Sequence, residues 1–208
     1  ASTDNLIFLT DRNLVTLGHN LTACNRRSNY GRLSLVGKVI KMTVSKNQRK
    51  AIFATDHGEV ICVNQYNLRE SIRFYQQKKA VVGLIYVDSD ITLITAATDG
   101  NLCIFDASLL PRTLQKESRL FKSNPPGRLP LRSVKCCHDG DVTDMIYSEN
   151  HQLIVTSSVD CTIRIWNYLR LTLDAIVCGD FQCDGQPCEV TALNFLASSS
   201  VLAIGNSS

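Results

Sequence analysis

The chain has 208 residues, of which 44% are hydrophobic, and its 22 basic and 19 acidic side chains leave a formal charge of +3. This length and hydrophobic content suffice for an ordinary globular core, and the near balance of charge is no argument for a nucleic-acid-binding protein. No run approaches the ~18 consecutive apolar residues of a membrane-spanning helix, and residues 1–5 lack the basic start and apolar core of a secretory signal.

An Asp at a turn, followed by an alternating apolar strand, recurs along the chain. The turn residues are Asp11, Asp56, Asp99 and Asp160, and Asn206 follows at a similar interval. A recurring unit of roughly 40–45 residues built from short strands is typical of a propeller blade. The sequence therefore predicts an all-β fold of repeated four-stranded antiparallel blades.

Five units follow one another in chain order. Their predicted bounds are 1–36 (partial), 37–78, 79–137, 138–178 and 179–208 (partial). Each is expected to be a meander of short strands joined by tight turns. The expected strands are 6–9, 14–17 and 21–24 in the first unit, 38–44, 51–54, 59–63 and 71–75 in the second, 79–86, 92–97 and 101–105 in the third, 141–147, 153–158, 162–167 and 171–177 in the fourth, and 190–195 and 201–204 in the last.

The third unit contains an insertion, because Asp99 and Asp160 lie further apart than the other turn residues. The inserted segment, 107–135, combines several prolines with a cluster of basic residues and one acid, Glu117. Prolines at this density oppose pairing within a sheet, so we expect a loop that projects from the unit, with room for a short helix at 113–122. The basic side chains that it offers to a partner are Arg112, Lys116, Arg119, Lys122, Arg128 and Arg132.

The fourth unit carries His138, Thr156, Asp160 and Trp166, and with them it resembles a WD40 repeat. In that family a His before the first strand, a Ser or Thr in the second, an Asp at the second turn and a Trp in the third form a hydrogen-bonded chain. Thr156 stands four residues before Asp160 and Trp166 six after it, as in the family. The resemblance implies a WD40-type β-propeller, or an arc of one, in which this tetrad has a structural role because a buried carboxylate and indole each need a partner.

The other units keep less of the pattern. The third has Thr95, Asp99 and Phe105 but no His before its first strand, the second has Asp56 with Cys62 at the Trp position, and the first has Asp11 with Leu17. WD40 domains usually close with about seven four-stranded blades. We therefore expect this chain to be a piece of a longer WD-repeat protein.

The resemblance implies a non-catalytic scaffold for protein–protein contacts within a larger protein or complex. Stapled blades would hold the connecting loops at 47–49, 89–90, 148–152 and 107–135 in place, so a partner docks without ordering the surface. The identity of the partner and the oligomeric state cannot be read from the chain. We expect no enzyme, since the acids lie mainly at turns instead of converging.

The alternative function is a phosphate-binding module, for nucleic acid or acidic lipid, that uses the basic insertion 107–135. Only one aromatic residue, Phe121, lies among the basic side chains. Base stacking therefore has little support, and nucleic acid is the less favoured partner.

Nine cysteines occur in the chain, several of them in apolar strands where a thiol acts as a small hydrophobic side chain. Cys178, Cys183 and Cys188 recur at five-residue steps, but a zinc site needs about four ligands in close pairs, so we expect a surface loop, no metal and no cofactor. Reduced thiols without a secretory signal indicate an intracellular, cytoplasmic protein; a nuclear or ciliary location is also compatible.

Overall fold

A computed structural model describes most of the chain. The described residues are 5–9, 14–19, 32–34, 37–45, 50–64, 70–74, 77–87, 89, 91–108, 127–135, 137–178, 182–183, 186–187, 189–195 and 202–206. Within these ranges every regular element is a β-strand. The strands are β1 (Asn5–Leu9), β2 (Leu14–His19), β3 (Arg32–Ser34), β4 (Val39–Val44), β5 (Lys50–Thr55), β6 (Val60–Asn64), β7 (Glu70–Arg73), β8 (Val81–Val87), β9 (Thr92–Ala97), β10 (Leu102–Asp106), β11 (Arg132–Val134), β12 (Val142–Ser148), β13 (Leu153–Ser158), β14 (Thr162–Asn167), β15 (Leu173–Cys178), β16 (Gln182–Cys183), β17 (Gln186–Pro187), β18 (Val190–Phe195) and β19 (Leu202–Asn206).

Three of the sheets are four-stranded antiparallel meanders. We call β4–β7 sheet 2, β8–β11 sheet 3 and β12–β15 sheet 4, and in each the strands lie in chain order. Sheet 1 has the three strands β1–β3, sheet 5 has β18 and β19, and β16 pairs with β17. The predicted fold class, a partial propeller of four-stranded antiparallel blades, is confirmed.

Successive sheets pack face to face, and their second strands are buried on both sides. In β9, Leu93 belongs to the core between sheets 2 and 3, whereas Ile94 belongs to the core between sheets 3 and 4. In β13, Ile154 packs towards sheet 3 and Val155 towards sheet 5. Because successive side chains of a strand point to opposite faces, these strands need a continuous apolar run, which is what the sequence shows. Burying each such side chain stabilises the fold by roughly 1.5–3 kcal/mol.

The first strands of neighbouring sheets lie side by side at the inner edge of the arc: β4 contacts β8, β8 contacts β12, and β12 contacts β18. Gly83 in β8 permits the approach of β8 to β12. A Cβ atom at Gly83 would lie 2.7 Å from Cβ of Met145 in β12, closer than carbon atoms can pack. The absence of a side chain at this position therefore sets the distance between sheets 3 and 4.

The outer strand of sheet 3 lies inside the segment that was predicted to be a loop. Strand β11 pairs with β10, with Val134 opposite Leu102, and Leu131 N donates to Ile104 O at 2.7 Å. The loop prediction is therefore wrong for residues 132–134. A three-residue strand that is at most half-buried has too few apolar side chains to produce an alternating pattern. Residues 109–126, including the possible helix at 113–122, lie outside the described residues.

The outer strand of sheet 1 also differs from its prediction. It is β3, where Leu33 lies opposite Val15 of β2, and not the predicted 21–24, which lies outside the described residues. At the other end of the chain, Asn206 is the last residue of β19 and lies opposite Val190. Asn206 is therefore in a strand and not in the predicted turn of a fifth copy. Short edge strands carry little apolar patterning, which explains why the sequence misplaced them.

Gly58 occupies a turn that only glycine fits, and we predict that Gly58→Ala destabilises the protein. Its φ is +78°, and a Cβ atom there would lie 2.1 Å from the backbone oxygen of Gln77. Left-handed backbone in a non-glycine residue costs about 1–3 kcal/mol, and the clash adds to it, so the free energy of unfolding should fall by at least that much in a urea titration. Gly205→Ala is the control, because its new Cβ would lie 3.3 Å from Cβ of Ala192. Equal losses in the two variants would contradict this account.

Candidate functional site

Four side chains of sheet 4 form a hydrogen-bonded chain, which we call the polar clasp: His138, Thr156, Asp160 and Trp166. Trp166 Nε1 donates to Thr156 Oγ1 at 3.0 Å, and Thr156 Oγ1 lies 2.8 Å from His138 Nε2. His138 Nδ1 lies 3.1 Å from Asp160 Oδ2. An ionised carboxylate can only accept, so Nδ1 carries the proton, Nε2 accepts from the Thr156 hydroxyl, and every polar group of the clasp is satisfied with a neutral imidazole.

The Asp160 carboxylate closes the turn between β13 and β14 as well as the clasp. It accepts from the Thr162 amide at 2.9 Å, the Thr162 hydroxyl at 2.6 Å and the Asp139 amide at 3.0 Å. Burial of Asp160 opposes its ionisation, but these hydrogen bonds outweigh burial and lower its pKa to about 2. Burial also lowers the pKa of His138 below 6.5, against the opposing effect of the Asp160 carboxylate. The folded state therefore favours a charged Asp160 beside a neutral His138.

These pKa shifts predict that acid weakens the fold in two steps. A group whose pKa is lowered by folding binds more protons when unfolded, so its contribution to stability is present above the unfolded pKa and is lost as the pH falls. For His138 the loss begins as the pH drops below about 6.5. For Asp160 it falls between pH 3.8 and about 2.

Urea unfolding at several pH values tests the first step. His138→Gln is the control. The glutamine side chain does not titrate in this pH range, and the variant retains the other histidines. Between about pH 7 and pH 5, the wild type should lose more of its unfolding free energy than the variant does. Parallel losses in the two proteins would show that His138 is not held neutral by the fold.

Sheet 3 contains a related contact that the sequence analysis missed. Gln77 Nε2 donates to Thr95 Oγ1, and the two residues are 18 positions apart, the same separation as His138 and Thr156. Gln77 is 4% exposed and Thr95 is fully buried. The 18-residue spacing was the available signal in the sequence, because it leads from Thr95 back to Gln77, which stands where the fourth unit has its His.

The remaining turn acids have smaller roles. Asp99 accepts from the amide and side chain of Asn101 at 3.2 and 2.9 Å. Asp56 accepts from the Lys38 amide at 2.7 Å and lies 2.7 Å from His57 Nδ1; the hydrogen bond from His57 lowers the pKa of Asp56. Asp11 lies outside the described residues. Asp56 and Asp99 thus close turns and do not converge on a shared cavity.

We call the face of the arc at which β5 and β9 begin the loop face, and there the side chains of one sheet bond to the neighbouring sheet. Lys50 Nζ of β5 donates to Ala107 O at 2.9 Å and lies 3.2 Å from the Tyr86 hydroxyl, linking sheets 2 and 3. The Tyr168 hydroxyl lies 2.7 Å from Thr92 Oγ1, linking sheets 4 and 3. These bonds hold the first residues of β5 and β9 against the segments that follow β10 and β14.

Arg128 clamps the two ends of the insertion together on the loop face. Its Nη1 donates to the backbone oxygens of Asp106 at 2.7 Å and Ser108 at 2.6 Å, and its amide donates to Arg73 O at 2.8 Å. The side chain is 14% exposed. Arg128 was predicted to face a partner, and the structure instead turns its charge inward.

The other predicted partner-facing residues are distributed differently. Arg132 Nη1 lies 3.4 Å from Tyr168 O, a weak contact that reaches across to sheet 4. Arg112, Lys116, Arg119 and Lys122 lie outside the described residues, so their role stays a prediction.

Neither a metal centre nor a membrane helix is found in the described part of the chain. No three His, Cys, Asp or Glu side chains there are grouped to hold a metal ion. Of the residues described, none belongs to a helix long and apolar enough to cross a membrane.

The segment that contains the polar clasp matches a known family. Residues 130–167 match the family model described as WD domain, G-beta repeat. The chain contains a WD40 repeat. The matched residues run from just before β11 to the end of β14 and include the whole clasp, from His138 to Trp166. The WD40 repeat is generally a non-enzymatic module for protein interaction, and the resemblance seen in the sequence is confirmed for this segment.

One curated relative adds a second comparison. Protein SPIRRIG of Arabidopsis thaliana is 30% identical to this chain over 82 residues, which is 38% of this chain and 2% of that protein. The chain thus spans a very small part of the relative's length.

Proposed function

We propose that this chain is a non-catalytic scaffold that docks partner proteins on the loop face. The observation that supports this most is the set of bonds that fixes that face: Lys50 to Ala107, Tyr168 to Thr92, and the Arg128 clamp. Each joins a strand end or connection to a neighbouring element, so the described part of this face is ordered before a partner arrives. Ordering a long side chain during binding costs about 0.5–1.5 kcal/mol, and a surface that is already ordered avoids that cost.

Affinity capture with the 208-residue chain tests this proposal. Captured proteins should persist after nuclease treatment and in about 0.3 M salt, where exposed charges are largely screened. Lys50→Met should weaken capture of the same proteins, because the methionine keeps the apolar stem and removes the bonds to Ala107 and Tyr86. Lys79→Met, at an exposed position on the opposite end of sheet 3, is the matched control. Loss of every captured protein on nuclease treatment would defeat the proposal.

The phosphate-binding alternative remains a separate prediction with its own test. Arg119→Glu with Lys122→Glu should abolish binding to single-stranded oligonucleotides or to vesicles with anionic lipid if the insertion binds phosphate. Arg128 is unsuited to this test because its replacement would also release the clamp. Unchanged binding in the double variant would exclude the insertion as a phosphate site.

We also propose an intracellular, cytoplasmic location. Support comes from the thiols: Cys62, Cys103 and Cys137 are free and buried, and burial raises the pKa of Cys62 and Cys103 to about 11 and that of Cys137 to about 12. Such thiols pack as apolar side chains and stay protonated. Fluorescence imaging of the tagged natural protein tests the location, and a signal confined to the secretory pathway would refute it.

A further inference from the structure

Three leucines on the loop face are more exposed than any other large hydrophobic side chain described. Leu129 is 66% exposed, Leu169 60% and Leu131 58%, while the next, Ile176, is 48% exposed. Leu129 and Leu131 stand at the returning end of the insertion, and Leu169 stands in the turn after β14. Exposed apolar side chains that cluster on a monomer mark sites of interaction.

The backbone around these leucines is held in place, and one contact brings the two segments together. Leu131 N donates to Ile104 O at 2.7 Å and Leu171 N to Asn167 O at 2.8 Å, so both segments are tied to strands. Arg132, next to Leu131, reaches the backbone oxygen of Tyr168, next to Leu169. We define the leucine patch as Leu129, Leu131 and Leu169 with the flanking Arg132 and Arg170.

The two segments that carry the leucine patch contain basic residues and no acid. The charged residues of the two segments 127–135 and 167–172 are Arg128, Arg132, Lys135 and Arg170, all basic. Asp106, the acid at the other end of the insertion, already pairs with Arg128 at 3.7 Å. Arg170 is exposed and Arg132 is half-buried, whereas Lys135 follows β11 at the opposite end of sheet 3. A partner of opposite charge would therefore meet Arg170 first.

From this arrangement we infer that the leucine patch docks an acidic segment of a partner protein, one that carries apolar side chains among its Asp and Glu residues. Apolar anchors at the centre and complementary charges at the rim are the usual anatomy of a protein interface. A membrane surface fits less well, because stable adsorption through charge takes about four to eight clustered cations and Arg128 is turned inward. The inference deepens the proposed scaffold function and rests on it.

Peptide selection on the intact chain tests the inference. A random peptide library displayed on phage is selected against the immobilised 208-residue chain, and the enriched peptide is titrated by fluorescence anisotropy. Enriched sequences should combine Asp or Glu with Leu, Ile or Phe. Leu131→Ser and Leu169→Ser should each weaken binding roughly tenfold, as loss of an interface anchor does. Arg170→Glu should weaken it as well, with a smaller effect at high salt.

Matched controls separate this surface from general stickiness. Ile176→Ser removes an exposed apolar side chain from β15, and Lys79→Glu reverses an exposed charge at the opposite end of sheet 3; both should bind as the wild type does. Circular dichroism melts establish that each variant is folded, which exposed positions favour.

Several results would overturn the inference. They are failure to enrich any peptide, enrichment without acidic residues, equal weakening by the control variants, and leucine-dependent binding to anionic vesicles in place of peptides. If the proteins captured from cells still bind the Leu131→Ser and Leu169→Ser variants, the scaffold proposal stands and the leucine patch is not its docking site. If no protein is captured at all, the scaffold proposal itself fails.

Discussion

Replacing Trp166 by Ala should lower the free energy of unfolding by about 3–5 kcal/mol, as large core truncations do. The indole is 4% exposed and packs between sheets 3 and 4 beside Ile154 and Tyr168. Its removal leaves a cavity that rigid strands cannot close. It also removes the hydrogen bond that Trp166 Nε1 donates to Thr156 Oγ1. Urea unfolding followed by circular dichroism measures the loss, because tryptophan fluorescence disappears with the only Trp of the chain.

Trp166→Phe separates packing from hydrogen bonding. Phe105 occupies the corresponding place in sheet 3 and is fully buried, so a phenyl ring suits this position. The Phe variant should lose much less, about 1–2 kcal/mol, since it keeps most of the apolar area and removes one hydrogen bond. If the Ala variant melts at the wild-type temperature, Trp166 is not part of the core and the clasp has no structural role.

Thr156→Val should lower the free energy of unfolding by about 2–4 kcal/mol. The new side chain has the same shape, but it strands Trp166 Nε1 and His138 Nε2, which bind the hydroxyl at 3.0 and 2.8 Å. A buried polar group left without a partner costs about 1–3 kcal/mol, and two such groups are affected. Thr172→Val, at an exposed position, should be nearly neutral under the same urea titration.

A double-mutant cycle with Trp166→Phe identifies the interaction. Phe has no N–H group, so Thr156→Val strands one group fewer in that background and should cost less than in the wild type. Identical costs in the two backgrounds would mean that the bond between Trp166 and Thr156 contributes nothing to stability.

The buried strands and the clasp could be predicted because their physical causes are local. In β5, β9 and β13, burial on both faces demands continuous apolar runs, and these runs are visible in the sequence. The clasp of sheet 4 has fixed residue types at fixed spacings, because its four side chains must meet around one turn. For these features the sequence and the structure agree.

The misplaced elements have causes that are not local. Strand β11 is held by the exposed edge of β10, so pairing and not hydrophobic pattern decides where it forms. Gln77 stands in the place of a histidine because its amide can bond the Thr95 hydroxyl as a donor, where His138 accepts from Thr156. Both depend on what lies opposite, and that is known only once the sheets are assembled.

The amino-acid sequence by itself determined the class of fold, the sheets of the middle of the chain and the residues of the clasp, since alternation and spacing follow from the geometry of strands and turns. Only the tertiary structure decided which basic side chains face solvent and which leucines are exposed. Arg128 is drawn inward by the carbonyl groups of Asp106 and Ser108, while the segments that carry Leu131 and Leu169 meet where Arg132 reaches the backbone oxygen of Tyr168. Solvent exposure depends on all neighbours of a side chain at once, and most of those neighbours are distant in sequence.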